Sequence, residues 1–131
     1  MEKIQSVKYK VKCSIKVDIP SGSKFTYTSE TMRPAINAYN ARYERFSHEF
    51  GAKLSKSIKV DDTNIVGNDI ICDISFIDNS LGHELKKRFL DNGGICIIML
   101  RITSGEIEKS RKTNIIDNVA GIVKIMLAIN K

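Results

Sequence analysis

Residues 7–19 read VKYKVKCSIKVDI, and every odd position from Val7 to Ile19 is apolar. Side chains change sides at each residue of a strand, so this alternation predicts a β-strand with one buried face and one wet face. The wet face carries Lys8, Lys10, Lys12 and Lys16, interrupted by Ser14 and closed by Asp18. The stretch decides a fold element and, by itself, no activity.

Beyond this strand, Pro20-Ser21-Gly22-Ser23 is a turn by composition, and Lys24 to Thr28 predicts a short return strand. Thr31 is the expected N-cap of a helix with Pro34 in its first turn, where a missing N–H costs little. Met32, Ile36, Tyr39, Tyr43, Phe46, Phe50 and Leu54 recur at spacings of four and three, which predicts one helix running to about Lys56. Ile58 and Val60 open a hairpin of uncertain register, because Asp61-Asp62-Thr63-Asn64 and Gly67-Asn68-Asp69 are both turn-like. Asp69 to Asp78 predicts a strand with Ile70, Cys72, Ile74 and Phe76 on one face. Leu81 to Asp91 predicts a short helix capped by Ser80 and stopped by Asn92-Gly93-Gly94. Ile95 to Ile102 is apolar on both faces until Arg101, as suits the middle of a sheet. The charged stretch Glu106 to Lys112 is a strand or a loop. Asn114 to Asn130 predicts a last helix, apolar over most of its circumference.

This order gives an α+β class: one four- to five-stranded, mainly antiparallel sheet, ferredoxin-like (βαββαβ), with an added C-terminal helix. The 131 residues suit a single domain spanning 1–131. The start MEKIQSVKYK has no apolar run and no 18-residue uncharged apolar stretch follows, so neither a secretion signal nor a membrane span is expected. Cys13, Cys72 and Cys96 are odd in number and lie in apolar runs, which reads as buried free thiols in a reducing, cytoplasmic setting. No CxxC pair is present, so a thiolate zinc site or thioredoxin-type chemistry is not expected; no cofactor and no metal ligands are assigned.

The net charge of +6 and pI of about 9.3 allow a polyanionic partner. The opposing consideration is that Ile, Lys and Asn, whose codons are rich in A and T, make up 44 of the 131 residues. Two basic clusters qualify as an anion or nucleic-acid site: Lys8, Lys10, Lys12 and Lys16 on the first strand, and Lys109, Arg111 and Lys112 ahead of the last helix. Asp69 and Asp73 fall on the same sheet face as the strand lysines and offset them across strands. That face lacks the third-strand aromatics that RNA-recognition sheets stack on bases. Glu44 with His48, and His83 with Glu84, read as exposed helix pairs. Asp61, Asp62, Asp69 and Asp73 read as turn formers; a small carboxylate–metal enzyme built on Asp69 and Asp73 is the third-ranked possibility.

Ile71, Ile77, Ile95, Ile97 and Met99 point away from the helix-covered face and need a cover. The expected cover is the last helix, a second copy of the chain, or both, with Ile115, Val119, Ile122, Met126 and Ile129 as the interface. The expected function is therefore non-catalytic: a self-associating adaptor, inhibitor or assembly component, dimeric and binding protein partners. Nucleic-acid or phosphate binding through the basic residues is the alternative.

Overall fold

The computed structural model describes residues 3–20, 25–41, 46–47 and 57–129. In chain order the elements are β1 (Ile4–Lys16), β2 (Thr26–Tyr27), α1 (Ser29–Asn40), β3 (Phe46–Ser47), β4 (Ile58–Val66), β5 (Asp69–Ile77), α2 (Ser80–Asn92), β6 (Gly94–Arg101), α3 (Ser104–Thr113), β7 (Ile115–Ile116) and β8 (Gly121–Ile129). The main sheet has the order β3-β4-β5-β1-β6-β8, and β2 pairs with β7 apart from it. The architecture is α+β with one main sheet. β3 and β8, at the two ends of the order, also approach within 8 Å between Cα atoms, so the sheet is curled.

The sheet is mixed, which corrects the expectation of a mainly antiparallel ferredoxin-like arrangement. β1 runs antiparallel to β5 but parallel to β6, with Cys13 opposite Cys96. In a βαββαβ ferredoxin-like sheet the strand after the second helix lies antiparallel to the first. Here α2 returns the chain in the other direction, and β8 then adds to β6 as a further antiparallel strand.

The alternation in β1 holds where it faces the core. Val11, Cys13 and Val17 are buried while Lys8, Lys10 and Lys12 are exposed. The same inner face receives Val60 from β4, Ile70, Ile74 and Phe76 from β5, Ile98 from β6, and Ile122, Ile125 and Leu127 from β8. Tyr9, Phe76 and Phe89 meet as an aromatic trio with ring centroids 5.2 to 5.9 Å apart, which docks α2 on the sheet. The hairpin register follows from Gly67, whose φ of 62° suits the two-residue turn before Asp69. Asp61 and Asp62 form no turn; they sit at a register shift inside β4.

The long helix is corrected too. α1 starts at Ser29, with Thr28 rather than Thr31 as its N-cap, and its C-cap is Ala41. Met32, Ile36 and Tyr39 form the buried stripe, Phe46 belongs to β3, and Tyr43, Phe50 and Leu54 lie outside the described residues. Asn40 marks the end physically. Its side-chain amide donates to the Thr63 carbonyl at 2.9 Å and accepts from the Thr63 N–H at 3.0 Å, tying the last turn to β4 beside the register shift. The expected return strand is β2, which pairs in parallel with β7.

The C-terminal segment is the largest correction. The charged stretch expected as strand or loop is α3, and the expected last helix is β7 and β8. A register shift between Met99/Lys124 and Leu100/Ile122 places Ile122 and Ile125 both inward, three residues apart. Such a shift imitates helical spacing within a strand.

Asp18 shapes the entry to α1. It adopts φ 64°, and its carboxylate accepts from the Ser29 N–H at 2.9 Å. That backbone hydrogen bond, the Ser29 side chain and the Arg33 charge hold its carboxyl below the usual range. Lys109, 2.8 Å from Asp117, does the same there. A depressed folded pKa stabilises fully above the unfolded value and is lost as pH falls through the folded value. We expect stability to decline below about pH 4, and Asp18→Asn to make that decline shallower in urea midpoints measured across the acid range.

Candidate functional site

The outer face of the main sheet divides in two along the β1–β6 boundary. Because Cys13 and Cys96 both point inward, their even-numbered neighbours on β1 and odd-numbered neighbours on β6 point outward.

On the β4–β5–β1 half, every lysine expected in the basic strand face meets a carboxylate. Lys8 lies 3.8 Å from Asp61, Lys10 2.9 Å from Asp73, and Lys12 and Lys16 3.6 and 3.7 Å from Asp69. Lys59 adds a contact to Asp61 at 3.5 Å. Asp61 is buried, and the Ser75 hydroxyl donates to it at 2.5 Å. The four β1 lysine side chains stay 48 to 77 % exposed, where each such pair contributes at most about 1 kcal/mol. Thus Asp61, Asp69 and Asp73 each face at least one ammonium group, and among the described residues no three carboxylates gather as a cation site.

The second basic cluster is placed differently from expectation. Lys109, Arg111 and Lys112 lie toward the end of α3, Thr113 is its last residue, and Asn114 has φ 59°. No helix N-terminus begins at Thr113, which corrects the expected anion site: the cluster sits at a helix C-terminus, the negative end of the dipole. Lys109 is engaged by Asp117 at 2.8 Å. His83 and Glu84 do not act as a pair; His83 lies 2.7 Å from Asp78 and Glu84 2.8 Å from Arg88. Glu44 and His48 lie outside the described residues.

On the β6–β8 half the outer face is apolar from Ile95 to Met99, with Lys124 opposite Met99 and Arg101 at the end of β6. Ile95 pairs with Ala128, Ile97 with Met126, and Met99 with Lys124. Ile95 and Met99 are each 47 % exposed, and Ile97, Met126 and Ala128 are partly exposed. A shallow depression of about 290 Å³ opens beside Ile95 and Ala128, bounded by Asn92, Gly93 and Gly94. The residues expected as a helical interface do not share one surface. Ile122 and Ile129 point into the core, Val119 is buried beside α1, Ile115 is exposed on β7, and Met126 alone belongs to the outer strip. Ile77, also expected to need a cover, is buried.

The inner face holds an arrangement that residue spacing did not disclose. Cys13 on β1, Cys72 on β5 and Cys96 on β6 bring their sulfurs within 4.8 Å of one another, and Cys13 Sγ lies 3.4 Å from Cys72 Sγ. Thr63, opposite Cys72 in the β4–β5 register, places Oγ1 3.5 Å from Cys72 Sγ. Hydrogen bonds from Cys13, then Cys96, and more weakly from Thr63 favour the Cys72 thiolate and lower its pKa, against the opposing effect of burial. The same Cys72 contact, with burial, pushes the Cys13 thiol well up. The one signal in the sequence was parity: each cysteine occupies a core-facing position of its strand.

Comparison of the chain with protein-family models finds no match, and neither curated proteins nor solved structures yield one. Among the described residues, no helix is long and apolar enough to cross a membrane.

Proposed function

We propose that this protein works by binding rather than by catalysis, as a self-associating adaptor, inhibitor or assembly component, and that it pairs with a second copy of itself through the outer face of β6 and β8. The observation that carries this reading is the apolar strip Ile95, Ile97, Met99, Met126 and Ala128 beside a sheet half of paired charges. An apolar strip satisfies itself under a twofold axis, because each residue meets an apolar counterpart and needs no complementary charge. Two such faces pack at the ordinary sheet-to-sheet spacing of about 10 Å. Lys124, opposite Met99, and Arg101, opposite Gly121, lie together at one end of the strip, and an offset packing carries both to the rim.

Light scattering or sedimentation equilibrium on the full chain tests this. The expected result is a concentration-dependent dimer that Ile97→Asp converts to monomer without loss of fold, while Lys10→Glu leaves it dimeric. A monomer at every accessible concentration, or a dimer indifferent to Ile97→Asp, refutes the reading. An oligonucleotide affinity that falls steeply with salt and disappears in the Lys10→Glu, Arg111→Glu double variant moves the function to the basic residues instead.

A further inference from the structure

We propose that Cys13, Cys72 and Cys96 form a three-thiolate site for a soft, thiophilic d10 cation, with Cu(I) as its natural occupant. A lone buried thiol is explained as a small hydrophobe. Three that converge from adjacent strands, 59 and 24 residues apart in the chain, make a donor set. With metal–sulfur bonds of about 2.3 Å, three sulfurs in a plane around one cation stand about 4.0 Å apart. Cys13 Sγ and Cys72 Sγ stand 3.4 Å apart and all three sulfurs lie within 4.8 Å of one another, near enough to that value for side-chain adjustments to complete the geometry.

Chemistry selects the class of ion. The donors are all sulfur, which favours soft cations over magnesium or calcium. Structural zinc takes four ligands, and among the described residues no further histidine, cysteine or carboxylate joins these three. The sulfurs lie in the core, each residue at most 7 % exposed, which disfavours water as a fourth ligand. A three-coordinate d10 ion fits both facts. Each sulfur that ligates gives its proton to solvent, and no electron is transferred. A Cys13–Cys72 disulfide fits less well. Cys72 stands opposite Val11, so Cys13 is its diagonal neighbour. Diagonal pairs have Cα atoms about 7–8 Å apart, beyond the usual reach of about 4.4–6.8 Å for a disulfide.

The test titrates the reduced full chain anaerobically with Cu(I), and separately with Cd(II) as a spectroscopic stand-in. Because the site is buried, each titration is repeated on protein refolded with the ion present. The expected result is one ion per chain, a thiolate-to-cadmium charge-transfer band in the ultraviolet, and a raised thermal midpoint. The band is lost in each of Cys13→Ala, Cys72→Ala and Cys96→Ala. If those variants fail to fold, protection is read on the wild type: the bound ion should slow alkylation of all three thiols. No band in native or refolded protein, a band that survives Cys72→Ala, or thiols alkylated equally fast with and without the ion would each overturn the proposal.

Discussion

Ile125→Asp is expected to remove most of the stability of the fold, and Met126→Asp, one residue along, little of it. Ile125 is fully buried on the inner face of β8, opposite Ile98 of β6. A carboxylate there loses its hydration and, among these apolar neighbours, gains no compensating charge. The cost exceeds about 4 kcal/mol, a large share of the roughly 5–15 kcal/mol that holds a domain together. Met126 lies on the partly exposed outer face, where Asp keeps its water and costs only the strand-propensity difference of about 1 kcal/mol. Circular dichroism with urea unfolding measures both. In the self-association reading, Met126→Asp folds and also weakens the dimer. Equal damage from the two substitutions would mean that the β8 faces are misassigned.

The second large effect is at Gly82. This residue is the third of α2, in the first turn under the Asn79 cap, whose side chain accepts from the Gly82 N–H at 2.7 Å. A Cβ built on Gly82 collides with the carbonyl oxygen of Ile77, a backbone atom of the central hairpin that no rotamer change moves aside. Relief requires α2 to lift from β5, which disturbs Leu85 and the Tyr9–Phe76–Phe89 trio. We expect Gly82→Ala to lower stability by about 3 kcal/mol, the upper end of ordinary overpacking costs. Gly105→Ala is the control: nothing lies within 4 Å of its Cβ position, and it sits in α3. There alanine's helix preference should give a gain of up to about 1 kcal/mol. Thermal and urea unfolding of the pair should move in opposite directions.

Much of this architecture was legible where a strand has one wet face. The Lys/apolar alternation of β1 and the Asn92-Gly93 stop of α2 carried local chemistry that admits one solution; the β4–β5 hairpin was legible as a hairpin, but two turn-like segments left its register open until pairing placed the turn at Gly67-Asn68. The pairing of β1 lysines with Asp69 and Asp73 also followed from alternation, once β1 and β5 were taken as neighbours. The C-terminal segment was illegible by periodicity because GIVKIMLAI is apolar on both faces and interrupted by a register shift. Its β-branched Ile122, Val123, Ile125 and Ile129 were the discriminating signal. The break after Asn40 was hidden because it depends on Thr63, a partner 23 residues away. Cysteine convergence depends likewise on strand order, which no single strand reveals. The direction of β6, and with it the mixed sheet, is set by how α2 packs across the core.

Isoleucine-methyl NMR over a dilution series reads out the proposed contact between copies through the outer face of β6 and β8. The Ile95 and Ile97 methyl signals should move with concentration while those of Ile98 and Ile125, on the inner face, stay fixed. Spectra that do not change on dilution, or changes confined to Ile71 between the β1 and β4 side chains, would contradict it.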